Sequence, residues 1–285
     1  MRLQEEPLAK VITPPEIDFA AEGLVQKEGV VYTTQNGKAY RMDIVYPADA
    51  AEALPAVVWV HGGGWSDEKL TRKYLPSTEL AQLAGRGFVT VSIDYRLSQE
   101  APFPAQIEDC KAAVRFLRAH AEEFHVDPGR IAAWGESAGG HLVELMAYST
   151  DGEFLNDCCP DYSSRIQAVI PWYAPADMRL TPEEWESSEV YGRLFPAADP
   201  KERERLMEQA SPICYAARKN PPTLLMHGDA DRLVSPENSR RMQKALRDAG
   251  NDARLILVPG QGHGFFDGAE YYEQIFQFLE KILRG

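Results

Sequence analysis

The chain has 285 residues, 44% of them hydrophobic, with 30 basic against 43 acidic side chains and a formal charge of −13. That is apolar chain enough for a sizeable core, as one large domain or two small ones. The acidic balance, with no Lys/Arg run longer than a pair, argues against nucleic acid or an anionic membrane as partner, and no apolar run approaches the ~20 residues that span a bilayer.

The first residues, Met1 to Pro7, are acidic and lack the continuous apolar core of a secretory signal, so a cytoplasmic protein is expected. Residues 1–29, punctuated by Pro14-Pro15, read as an N-terminal arm. Residues 30–34 and 39–46 alternate polar and apolar side chains around Asn36-Gly37, the strongest short-range hairpin signal, which predicts an antiparallel pair at one sheet edge. The character then changes. Residues 56–60 form a continuous apolar run, as in a strand buried on both faces of a parallel sheet, and the run ends in His61-Gly62-Gly63-Gly64-Trp65. A helix is expected over 73–84, a core strand over 88–95 and a long helix from Pro104 to about Phe124.

Residues 131–134 predict a strand that runs into Gly135-Glu136-Ser137-Ala138-Gly139-Gly140, followed by a helical stretch. A further strand is expected over 166–170. The next stretch, about 174–212, breaks the rhythm with two helical pieces, one near Thr181-Pro182 and one from Asp199-Pro200, the latter with an N-cap residue and proline at the first helical position. It reads as a small helical cap inserted over the C-terminal edge of the sheet. Strand 223–228, a helix over 236–249, strand 254–258 and a last helix over 271–283 complete the alternation. Strands alternating with helices over the whole length predict a single α/β domain, 1–285, with a mostly parallel central sheet of about eight strands and helices on both faces. The cysteines, Cys110, Cys158, Cys159 and Cys214, show no zinc-site spacing with His; they read as reduced thiols, and no metal is expected.

Strand, Gly-x-Ser-x-Gly, helix is the pattern of a nucleophile elbow, a sharp turn that lifts a serine Oγ above a sheet. Alone it could be a helix N-cap serine after a glycine turn. A serine nucleophile needs a base, an acid and an oxyanion hole, and in the α/β-hydrolase fold to which such an elbow belongs the acid and then the histidine follow the serine in the chain. His61, His120 and His125 come too early, His141 lies on the helix leaving the elbow, and His227 ends the strand whose own loop should carry the acid. His263, in a glycine-rich loop after the last strand, is left as the base. Two acids are open, Asp229 and Asp231; position in the loop favours Asp231, with Leu233 and Val234 to bury it. The backbone N–H groups of Gly63, Gly64 and Ala138 are the expected oxyanion donors. Trp65, Trp172, Tyr173, Val234, Phe265 and Phe266 fall near strand ends and are candidates to line a substrate pocket.

These motifs, together with Asp94-Tyr95-Arg96-Leu97, Phe103-Pro104-Ala105 and His227-Gly228-Asp229-Ala230-Asp231, span residues 55 to 265. With them the sequence resembles α/β-hydrolase esterases near the hormone-sensitive-lipase type, most of all the bacterial feruloyl/acetyl esterase group associated with plant polysaccharides. The resemblance implies the α/β-hydrolase fold, a Ser137-His263-Asp231 triad, no cofactor, and hydrolysis of small-molecule or oligosaccharide esters. It departs from hormone-sensitive-lipase relatives at Glu136, where they usually carry Asp, and at Ser98-Gln99-Glu100, where they usually carry Ala-Pro-Glu. An arylformamidase would share the oxyanion strand and triad but cleave an amide. A prolyl-oligopeptidase-type peptidase would need a longer N-terminal region for its propeller, and a ligand-binding pseudoenzyme would typically lack the histidine.

Overall fold

The computed structural model describes residues 17–73, 77–180, 187–264 and 268–285. Eight strands, β1 (Leu24–Gln35), β2 (Lys38–Pro47), β3 (Leu54–Val60), β4 (Val89–Ile93), β5 (Val126–Glu136), β6 (Ala168–Trp172), β7 (Thr223–Gly228) and β8 (Ala253–Val258), form one sheet. Their order is β1-β2-β4-β3-β5-β6-β7-β8. The first two pairings, β1 with β2 and β2 with β4, are antiparallel, and every later one is parallel. This is the mostly parallel sheet of eight strands that the alternation predicted.

The β1–β2 hairpin turns at Asn36 and Gly37, both in the left-handed region (φ +51° and +79°), which suits the twist of the two strands. Part of the stretch expected as an arm, 1–29, belongs to the sheet. Residues 1–16 lie outside the described residues, and β1 begins at Leu24. The register slips between Lys27 and Val30, around Gly29 with φ +69°, and this bulge interrupts the polar/apolar alternation by which the strand would have been recognised.

Strand β3 explains why a continuous apolar run was needed. Ala56, Val58 and Val60 enter one core cluster while Val57 and Trp59 enter another on the opposite face, and all five are fully buried. The first cluster is closed by helices α2 (Ala105–Ala119) and α3 (Ser137–Tyr148), through side chains such as Ile107, Val114, Leu142 and Val143. Helices α1 (Ser77–Gly85) and α7 (Ala269–Leu283) close the second, through Leu83, Ile275 and Leu279. Between β6 and β7 lie α4 (Glu189–Leu194), α5 (Pro200–Gln209) and a 3-10 turn (Pro212–Tyr215). Asp199 caps α5 by accepting from the Lys201 N–H at 3.1 Å, whereas the helical piece expected near Thr181-Pro182 lies outside the described residues. Helix α6 (Glu237–Asp248) joins β7 to β8. Among the described residues no helix is long and apolar enough to cross a membrane.

Candidate active site

Strand β5 ends at Glu136, and Ser137 is the first residue of α3, with φ +49°. A non-glycine residue held there is strained by about 1–3 kcal/mol, and packing on both sides must hold it. That packing is tight. A Cβ on Gly139 would fall 2.1 Å from the Val60 carbonyl oxygen, so only glycine lets α3 start beneath the end of β3. Of the seven non-glycine residues with positive φ among those described, three, Trp65, Ser137 and Tyr173, line one cavity of about 520 Å³. Its wall also includes Gly63, Gly64, Leu70, Pro175, Val190 and Tyr191.

Ser137 Oγ lies 2.9 Å from His263 Nε2, and His263 Nδ1 lies 2.8 Å from Asp231 Oδ2. The other oxygen, Asp231 Oδ1, accepts from the backbone N–H groups of Leu233 and Val234, each at 2.9 Å. His227 Nε2 stands 3.2 Å from the same Oδ2 that His263 uses. Burial pushes the Asp231 carboxyl up. Hydrogen bonds from His227 and His263, the charge on His263 and the Val234 N–H outweigh it, so the net direction is well below the usual carboxylate range. Asp229 is occupied elsewhere: its Oδ1 accepts from Gly260 N–H at 2.7 Å, and Ala230 N–H bonds the Gln261 carbonyl, so the acid loop and the His263 loop are joined.

On the opposite side, His61 to Trp65 leaves the end of β3. Gly63 (φ +97°) and Gly64 (φ +55°) turn the chain, and the Gly63 carbonyl accepts from the Ser66 and Asp67 N–H groups at 3.0 Å. A Cβ on Gly63 would press within 3.1 Å of Asp67 and Leu70. The Asp94-Tyr95-Arg96 motif supports this loop from below. Tyr95 stacks on His61 and donates to the carbonyls of His61 and Gly62 at 3.0 and 3.2 Å, while Arg96 is held by both oxygens of the buried Asp109 at 2.8 Å. Ala138, second in α3, has a backbone N–H in the helix's first turn, where no intrahelical acceptor exists.

Glu136, noted in the sequence only as a departure, is a structural centre of the site. It is buried; Oε1 accepts from the Gly62 N–H at 3.2 Å, and Oε2 accepts from the Tyr173 hydroxyl. The Tyr173 ring in turn meets the His263 ring edge-on, with centroids 4.6 Å apart. Burial is the dominant influence on Glu136 and raises its pKa despite those two donors and the charge on His263. One carboxylate therefore ties the glycine loop to the ring that flanks the histidine.

The expected pocket residues divide. Trp65 lines the cavity; its indole N–H donates to His141 Nδ1 at 3.3 Å, and His141 Nε2 reaches the Ala210 carbonyl at 2.6 Å at the end of α5. Tyr173 lines it too. Trp172 does not: strand alternation turns it to the opposite face of the sheet, where it packs edge-to-face with Trp59 and Trp134 and is fully buried. Val234 is also buried outside the cavity wall, because its N–H and carbonyl serve Asp231 and His227; its neighbour Leu233 faces the cavity instead. Phe265 and Phe266 lie outside the described residues. Ser188, Val190 and Tyr191, from the segment between β6 and β7, also line the cavity; no motif announced them, since their place depends on how that segment folds back. Among the described residues no group of three or more His, Cys, Asp or Glu side chains is arranged to hold a metal ion.

Comparison with known proteins places relatives beside this geometry. The BD-FAE family model matches residues 42–246. Esterase LipC of Mycobacterium tuberculosis is 30% identical over 249 residues, covering 81% of this chain and 61% of LipC. The chain spans between 55% and 61% of the length of the first curated relatives that it matches. Among solved structures, a truncated carbohydrate esterase from gut microbiota superposes with a TM-score of 0.79 at 28% identity, over 92% of this chain and 97% of that one. Thermogutta terrifontis esterase 2 phosphorylated by paraoxon superposes with a TM-score of 0.72 at 29% identity, over 91% and 94%.

Proposed function

The chain belongs to the BD-FAE family, and from that premise we propose that it is a serine carboxylesterase working through an acyl-enzyme on Ser137. His263 Nε2 takes the Ser137 proton as Oγ attacks the ester carbonyl, then returns it to the leaving alcohol; water repeats the sequence on the acyl-enzyme to release the acid. Asp231 holds His263 in the tautomer that leaves Nε2 free to accept, and stabilises the imidazolium that forms. The N–H groups of Gly63, Gly64 and Ala138 receive the oxyanion, each contributing about 3–4 kcal/mol in the transition state. The observation that carries this reading is the continuous contact from Asp231 through His263 to Ser137, at 2.8 and 2.9 Å.

The substrates we assign are short-chain or hydroxycinnamoyl esters of plant carbohydrate, with acetyl or feruloyl as the acyl group. Support comes from the carbohydrate esterase neighbour and from a cavity of about 520 Å³, large enough for one aromatic acyl group or sugar ring, walled by Trp65, Leu70, Val190, Tyr191 and Leu233. The domain is single, and the segment over about 174–212 is its cap. Ser137→Ala should lower p-nitrophenyl acetate hydrolysis by about 10⁴- to 10⁶-fold; hydrolysis near the parental rate would refute the nucleophile. A panel of p-nitrophenyl acetate and butyrate, methyl ferulate and acetylated xylo-oligosaccharides, compared by kcat/KM, tests the acyl and alcohol assignments. A preference for p-nitrophenyl butyrate over every carbohydrate or ferulate ester would remove them.

A further inference from the structure

His227 was set aside as a base because it ends the strand whose loop carries the acid, and it does not approach Ser137. Its position is nonetheless informative. It is fully buried at the end of β7, four residues before Asp231, and both ring nitrogens have partners. Nε2 faces two acceptors at once, Asp231 Oδ2 at 3.2 Å and the Val234 carbonyl at 2.9 Å. A nitrogen between a carboxylate and a carbonyl must carry a proton, since a bare lone pair there would face two others. Nδ1 lies 2.8 Å from the hydroxyl of Ser239, a buried residue on α6, and that hydroxyl can donate to it. The ring is thus fixed with its N–H aimed at the acid loop.

We infer that His227 is a positioning residue for the esterase reaction: a second imidazole donor that shares Asp231 Oδ2 with His263 and fixes the direction in which that oxygen points. The inference rests on the triad reading given above and adds a residue to it. Asp231 then has four donors, two backbone N–H groups on Oδ1 and two imidazoles on Oδ2. Only the His263 bond belongs to a ring that must take up and give back a proton during turnover. The other three stay in place throughout, so the carboxylate keeps its direction whichever state His263 is in. The Val234 contact extends the same ring to the backbone of the acid loop. The hydrogen-bonded relay runs Ser239, His227, Asp231, His263, Ser137, with α6 at its far end.

Substitutions at His227 separate donor from filler. His227→Gln carries an amide N–H at about the reach of Nε2; His227→Asn carries one only at the reach of Nδ1, too short for Asp231; His227→Leu carries none. Rates are measured on p-nitrophenyl acetate and divided by the sites that a fluorophosphonate labels, which counts only folded, competent Ser137. The expected result is kcat about tenfold lower for Asn and Leu with KM little changed, and most of the loss recovered in Gln. The low-field proton resonance of the His263–Asp231 hydrogen bond should move further downfield in Leu, where one donor no longer competes for Oδ2. Ser239→Ala, remote from the cavity, should show the same kcat pattern at about threefold. Parental kcat per labelled site in both Asn and Leu, or a Gln variant as impaired as Leu, would overturn the inference. A parental protein that neither hydrolyses the ester nor takes the label would instead overturn the esterase reading itself.

Discussion

Two buried carboxylates serve the same imidazole, Asp231 by a direct bond and Glu136 through the Tyr173 ring, and they are held in opposite ways. Asp231, in the loop after β7, is surrounded by N–H groups, and its pKa is driven down although burial pushes the other way. Glu136, at the end of β5, has two donors, the Gly62 N–H and the Tyr173 hydroxyl, and burial wins. Both side chains are nearly inaccessible, so depth does not separate them. Donor number does. An anion in a low-dielectric site is kept by hydrogen bonds to its charged form, and two donors do not match two backbone amides and two imidazoles. The loop after β7 is built to hold a charge beside His263, whereas the elbow uses its carboxylate as a clamp between β3 and the residue after β6.

The largest effect expected from this contrast is at the acid. Asp231→Asn keeps the shape but offers an amide where His263 needs a carboxylate, and kcat should fall by about 10³- to 10⁴-fold. Asp229→Asn should stay within about twofold, since an amide oxygen can still accept from the Gly260 N–H. Steady-state rates on one ester for both variants decide; a larger loss at Asp229 would exchange their roles.

That pair also marks how far the chain could be read in advance. The elbow, the glycine loop and His263 were legible because each needs glycine at fixed offsets or a fixed place in chain order, and both properties are written in one dimension. Asp231 was favoured over Asp229 on position in the loop, and the geometry gives the reason in its bonds to Leu233 and Val234 N–H. Trp172 was misplaced because a strand-end aromatic can turn into the core as readily as toward the cavity, and this one packs with Trp59 and Trp134 in the core. The wall contributed by Ser188, Val190 and Tyr191 was hidden for a different reason: it depends on how an irregular segment folds over the sheet.

The two carboxylates should also give stability a dependence on pH of opposite sign. Asp231 has a folded-state pKa below its unfolded value of about 3.9, so its contribution is present above that pH and is lost on acidification. Asp231→Asn should therefore lose most in Tm, against the parental protein, at neutral pH and least near pH 3. Glu136 is raised above its unfolded value of about 4.3, so its contribution is complete below that pH and declines as pH rises through the folded pKa. Glu136→Gln should gain in Tm relative to the parent between pH 4 and pH 7. Its amide can bond Gly62 N–H through oxygen and the Tyr173 hydroxyl through nitrogen, so kcat should stay within about tenfold. Two Tm-difference curves sloping the same way would mean that both carboxylates are held alike.

The smallest effect is the most specific to the clamp. Tyr173→Phe leaves the ring against His263 but removes one of the two donors to Glu136, and Oε2 is then buried without that hydroxyl. A hydrogen bond of this kind is worth about 0.5–1.5 kcal/mol net, so kcat should fall by roughly threefold to tenfold if the clamp holds the glycine loop in the oxyanion-binding form. The loss should appear in kcat rather than KM, because the oxyanion exists only in the transition state and the intermediate. With one donor gone, the Glu136 pKa should rise further, and the pH range over which stability declines should shift upward with it. In the double variant Tyr173→Phe, Glu136→Gln that upward shift should vanish, since no titrating group is left for the missing hydroxyl to act on. A shift that survives in the double variant would have to come from some other group, and Glu136 would no longer be the partner through which Tyr173 acts.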